Sequence, residues 1–125
     1  ALALAREAPP RLVRGDGPSL AAELTLNGSA GVHPVVWHSL ALVYTYESQQ
    51  RELAASLDRA GADSDLTWIY LEGPGGRSGL PQPDIHERPD AADCALVAVT
   101  YRGARRSVQQ LAAVDPHVAT MQWLA

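Results

Sequence analysis

Residues 34–74, PVVWHSLALVYTYESQQRELAASLDRAGADSDLTWIYLEGP, decide the fold, because an apolar run, a helical repeat and a second apolar run follow one another in that order. Val35-Val36-Trp37 shows no polar alternation, the pattern of a strand covered by helices on both faces. His38 and Ser39 end it, and Leu40 to Tyr46 reads as an irregular turn. From Ser48, a suitable N-cap, to Ala60, the residues Leu53, Ala54 and Leu57 share one helical face. Arg59 stands in the last turn and Gly61 just past the end. Leu66 to Leu71 is again apolar and β-prone and stops at Glu72-Gly73-Pro74. Strand, helix and strand in that order predict two parallel strands joined by a crossover.

Working outward adds a strand on one side and a meander on the other. Ala1 to Ala8 has helix-forming composition, and Pro9-Pro10 stops it. Arg11 to Gly15 (RLVRG) reads as a short strand ending at Asp16, after which Gly17-Pro18 opens a helix over Ser19 to Leu26. Downstream, Gly73 to Asp93 is rich in Gly and Pro and reads as a mobile connection of about twenty residues. Cys94 to Arg102, Ala104 to Val114 and Ala119 to Leu124, separated by Gly103 and by Asp115-Pro116-His117, read as an antiparallel meander. The expected fold is therefore α/β: a Rossmann-like half-sheet of three parallel strands with helices, closed by antiparallel strands.

Bulk composition narrows the class. The 125 residues make one domain, and 46% hydrophobic with 19% charged residues is a globular balance that favours neither a disordered nor a fibrous class. Net charge is −4, and all ten basic residues are scattered arginines with only Arg105 and Arg106 adjacent. That leaves no basic stripe for nucleic acid and no lysine for a P-loop. Cys94 is alone, which rules out an intrachain disulfide and a multi-cysteine zinc site and suits a cytoplasmic setting. No apolar run reaches the ~18 residues of a membrane span, and ALALAREAPP is not a signal peptide. Its helical composition without an initiating Met or N-cap reads as the end of a helix, so residues 1–125 are expected to be the C-terminal α/β segment of a longer protein. Its upstream part would then be the first partner.

In open α/β sheets ligands bind beyond the carboxyl ends of the strands, which here present Asp16, His38, Ser39 and Glu72. His38, Ser39 and Glu72 are the catalytic candidates and Asp16 the candidate for binding a cofactor. Each has a plainer reading. Asp16 can cap the short helix, Glu72 can be a solvated turn residue, and His38 can be a hydrogen-bonded structural histidine. Ser39 lacks a nucleophile elbow, since Trp37 and Ala41 stand where G-x-S-x-G has glycines. His33 and His38 lack the i, i+4 spacing of a metal pair, so no metal is expected. Trp37, Trp68 and Trp123 read as packing residues.

Four stretches carry a resemblance: ALALAREAPPRLVRGD (1–16), PVVWHSLALVY (34–44), TWIYLEGPG (67–75), and Asp115-Pro116-His117 leading to Met121-Gln122-Trp123-Leu124. Together they resemble the C-terminal part of the bacterial domain-of-unknown-function family 2332. That resemblance implies a protein about two to three times this length and no established activity; Val118-Ala119-Thr120 departs from the pattern. The layout is more distantly similar to the second half of class I S-adenosylmethionine-dependent methyltransferases. By that likeness S-adenosylmethionine would serve the full-length protein, with Asp16 on its adenine side and His38-Ser39 near the transferred methyl. The cofactor-binding glycine turn would lie upstream, and no Asn/Asp-Pro-Pro-Tyr type motif is present. The competing expectation is a non-enzymatic module that binds a small molecule or assembles, including with itself, through an unpaired strand edge.

Overall fold

The computed structural model describes residues 6–17, 20, 21, 23, 31–83 and 94–124. Its centre is a five-stranded sheet in the order β1 (Val35–Ser39), β2 (Leu66–Glu72), β3 (Cys94–Arg102), β4 (Arg105–Val114), β5 (Met121–Trp123). β1 and β2 run parallel, His38 opposite Tyr70, and are joined by helix α1 (Glu47–Asp63). The remaining pairs are antiparallel, with a bulge in the β3–β4 register at Leu96/Val97. The fold is thus mixed α/β, and the closing meander stands where the sequence puts it.

The third parallel strand does not form. Arg11 to Gly15 is irregular and Leu12 is 89% exposed, so two apolar residues between arginines find no ladder to join. β1 is consequently the edge of the sheet among the described residues. Asp16 follows on this exposed segment, and its carbonyl accepts from Leu20 N–H at 3.0 Å, as at the start of a helical turn. Gly17, Leu20, Ala21 and Glu23 are helical; the rest of the predicted helix, and Ala1 to Ala5 of the first, lie outside the described residues.

Period-two geometry divides the strands between two faces. On the first, Trp68, Tyr70, Val97, Val99 and Tyr101 pack beneath Leu53, Leu57 and Ala60 of α1. On the second, Leu71, Cys94, Leu96, Ala112 and Val114 form a smaller cluster that includes no described helix residue. Trp37 (56% exposed) and Trp123 (67%) lie on that second face, which corrects the expectation that β1 is covered on both sides; of the three tryptophans read as packing residues, Trp68 is the buried one.

α1 starts from Tyr46 rather than Ser48: Tyr46 O accepts the Gln49 and Gln50 N–H groups, and Gln49 Oε1 takes Tyr46 N–H at 3.0 Å. It also runs past Gly61. That glycine serves packing, since a Cβ there would collide with the Tyr101 ring. The Leu40–Tyr46 turn contains a 3-10 helix, Leu42–Tyr44. The Gly/Pro-rich connection begins with a single helical turn, α2 (Pro74–Arg77), and returns Leu80 to the core, while residues 84–93 lie outside the described residues.

Candidate functional site

Parallel register is what builds the site. His38 lies opposite Tyr70, and Glu72 is two residues further along β2, so the imidazole and the carboxylate share the face covered by α1. His38 Nδ1 is 2.9 Å from Glu72 Oε1. Glu72 is fully buried and the His38 side chain is 14% exposed. Backbone geometry completes the carboxylate's surroundings. Leu40 takes a left-handed conformation (φ 49°) and Ala41 a right-handed one, which turns two successive N–H groups the same way. Such a concave pair of donors is an anion-binding nest. Ala41 N–H and Leu42 N–H donate to Glu72 Oε1 at 2.9 and 3.1 Å.

A carboxylate oxygen only accepts, so the shared proton is on His38 Nδ1 and, in the neutral ring, Nε2 keeps its lone pair. That Nε2 is buried and makes no hydrogen bond. The ring stacks on Tyr70 (centroids 5.9 Å apart, 11° between planes) and tilts against Trp68 at the same separation. Trp68 Nε1, a donor, is also buried without a partner. Glu72 Oε2 meets Gly76 instead of a donor, and a Cβ at Gly76 would strike it.

The start of the Gly/Pro-rich connection is clasped over this carboxylate. Gln50 is buried in α1; its Nε2 donates to Gly75 O (2.9 Å) and Leu42 O (3.3 Å), and its Oε1 accepts from Gly79 N–H (2.9 Å) and Ser78 Oγ (3.2 Å). Tyr70 O–H donates to Pro81 O at 2.5 Å. Burial pushes the Tyr70 phenol well above its ordinary value, opposed by nearby Arg77. Gln50, Tyr70, Trp68 and Gly76 were not among the sequence candidates. Their signals were present: Gln50 is a long polar residue in the stripe with Leu53 and Leu57, and Trp68, Tyr70 and Glu72 alternate along one strand face.

Of the sequence candidates, the structure joins His38 and Glu72. Ser39 is exposed and, one residue on from His38, faces the opposite side of the sheet. Asp16 stands on the exposed segment before the short helix and follows no strand. Among the described residues no group of three His, Cys, Asp or Glu side chains is placed to hold a metal. Asp16 follows no strand, since Arg11 to Gly15 forms none, so the adenine-side position that the methyltransferase likeness implies for it is not at a sheet rim. No helix among the described residues is long and apolar enough to cross a membrane.

A family model described as "Uncharacterized protein conserved in bacteria (DUF2332)" matches residues 1–123. No curated protein and no solved structure matches the chain.

Proposed function

We propose that this chain, which belongs to the bacterial family DUF2332 of uncharacterised proteins, supplies the acid–base wall of a small-molecule site at the carboxyl edge of β1 and β2. His38 is the general base and Glu72 the residue that positions it. One observation carries this reading: Nδ1 is held by a buried carboxylate while Nε2 keeps an unengaged lone pair. Nε2 is buried in this state, so the side chains around it must move aside before a small molecule reaches it; a proton leaving that molecule's O–H or N–H then passes to Nε2, and Glu72 stabilises the imidazolium that results. The proton returns to the product from the same nitrogen.

A parallel pair with a helical crossover supports a Rossmann-like reading of this end of the sheet, and the methyltransferase likeness rests on that architecture alone. S-adenosylmethionine has no part in the chemistry assigned to His38. A thermal-shift screen of small alcohols, amines and hydroxy acids tests the site. A ligand at a hundredfold excess over its Kd stabilises by about 2.7 kcal/mol. The reading expects at least one such compound to raise the Tm of the wild-type chain and not that of His38→Gln. Equal shifts in both chains, or none in either, contradict it.

The second reading, a module that assembles rather than catalyses, draws on a different feature, the exposed Trp37 and Trp123 on the other face of the sheet.

A further inference from the structure

Two hydrogen-bonding atoms beside the His38–Glu72 pair complement one another and do not meet. Strand β2 places Trp68, Tyr70 and Glu72 on one face at every second position, and His38 stands opposite the middle one. Glu72 holds Nδ1 at 2.9 Å. The two nitrogens of an imidazole point away from one another, so Nε2 is turned from Glu72, and Trp68 is the residue of this β2 row on that side. The rings of His38 and Trp68 lie 5.9 Å apart between centroids and tilt by 41°. Trp68 is fully buried. Its Nε1–H only donates and the bare Nε2 of a neutral His38 only accepts, yet neither has a partner, so the two do not bond to each other.

Buried polar atoms left unpaired are costly, and these two call for opposite partners. An oxygen that accepts from one nitrogen and donates to the other spans up to about 6 Å between them, the scale of the ring separation. A hydroxyl has both capacities on one atom. A carbonyl only accepts and leaves Nε2 bare, and an ammonium only donates and leaves the indole bare. Glu72 Oε2, a third unpaired atom, only accepts and abuts Gly76.

We propose that Trp68 makes this a site for small alcohols: its indole N–H donates to the hydroxyl oxygen whose proton His38 Nε2 takes. The inference rests on His38 as the base and narrows its substrate to an O–H. When that bond breaks, the proton goes to Nε2 and the electron pair stays on oxygen, where the Trp68 N–H meets the growing negative charge. Trp68 is thereby the residue that tells a hydroxyl from an amine. Both nitrogens are covered in this state, so the alcohol enters as the covering side chains move.

The probes are two matched sets: isopropanol, isopropylamine and acetone, and cyclohexanol, cyclohexylamine and cyclohexanone. Titrations at neutral pH follow nitrogen–proton spectra of the nitrogen-15-labelled chain. Trp68→Phe assigns the indole signal, and circular dichroism verifies its fold. The alcohol of at least one set is expected to move both the Trp68 indole and the His38 Nε2 signals and to bind at least about tenfold more tightly than its amine or its ketone. Trp68→Phe should weaken the alcohol by a similar factor and leave His38 protonated at Nδ1. Should that variant fail to fold, the comparison of alcohol, amine and ketone in the wild-type chain decides. If alcohol and amine bind alike and His38→Gln abolishes both, this inference falls while His38 stands as the base. Alcohol binding that survives His38→Gln takes both down. No response to any of these compounds overturns the inference, and so does a bound water that stays beside the indole proton at the highest alcohol concentration.

Discussion

Glu72 and Asp58 hold the two ends of the same helix-on-sheet layer, and they do so in opposite surroundings. Glu72 is fully buried at the carboxyl end of β2 and gathers His38 Nδ1 and two backbone N–H groups on a single oxygen. Asp58 is about 40% exposed near the β3–β4 hairpin and gathers Arg106 and the Tyr101 hydroxyl. The donors are similar in number, so the difference lies in water. At Asp58 solvent replaces any partner that is lost, whereas at Glu72 a lost partner leaves polar groups that nothing else can reach.

Substitution should reproduce that ranking. Glu72→Ala strands His38 and the two N–H groups of the nest, and an unfolding titration in urea should show a loss of about 3–5 kcal/mol. A loss no larger than that of an exposed carboxylate would break the comparison. Gly76→Ala drives a methyl into Glu72 Oε2 and should cost about 1–3 kcal/mol in the same titration. Asp58→Ala should cost only about 1 kcal/mol, since its ion pair is half exposed and the remaining loss is one hydrogen bond from Tyr101.

Buried Tyr70 sharpens the contrast through pH. Its phenol is raised by burial, so the unfolded chain ionises first, near pH 10. The folded state then binds more protons than the unfolded one, and stability falls as pH rises above that value, its contribution being fully present below. Melting between pH 8 and pH 11 should show this decline, and Tyr70→Phe should remove part of it, the rest coming from Tyr101, whose phenol burial and Asp58 also raise. The smallest effect is expected in the exposed turn after β4, where Asp115 accepts from His117 N–H, Thr120 N–H and Thr120 Oγ1. Val118 there holds a left-handed φ of 58° that a β-branched residue tolerates badly. Val118→Gly should raise stability by about 0.5–1 kcal/mol, relief of strain outweighing the added freedom of the unfolded chain.

Local pattern carried much of this architecture into view. Strands β1 and β2, the helix between them and the antiparallel meander follow from apolar runs and turn residues that point to one outcome each. Arg11 to Gly15 did not, because a strand exists only where another strand pairs with it, and two apolar residues cannot reveal that partner. Gly61 looked like a helix stop, yet its lack of a side chain serves Tyr101 from forty residues away, a demand no local pattern contains. The site was legible in its parts and not in its assembly. His38 and Glu72 stand at strand ends that parallel order brings together. Leu40's left-handed turn, the Gln50 clasp and the Gly76 contact depend on three-dimensional closure. Ser39 shows the converse, since adjacency to His38 in sequence places it on the other face.

The protonation pattern of the His38 ring is the most direct measure of the central claim. Long-range nitrogen–proton correlation spectra of the uniformly nitrogen-15-labelled chain, with His38→Gln to assign the signals, report which ring nitrogen carries the proton at neutral pH. A neutral ring protonated at Nδ1 with a bare Nε2, shifting to the other tautomer or to free exchange in Glu72→Gln, is the predicted result. A ring protonated at Nε2, or one indifferent to Glu72→Gln, would contradict the account.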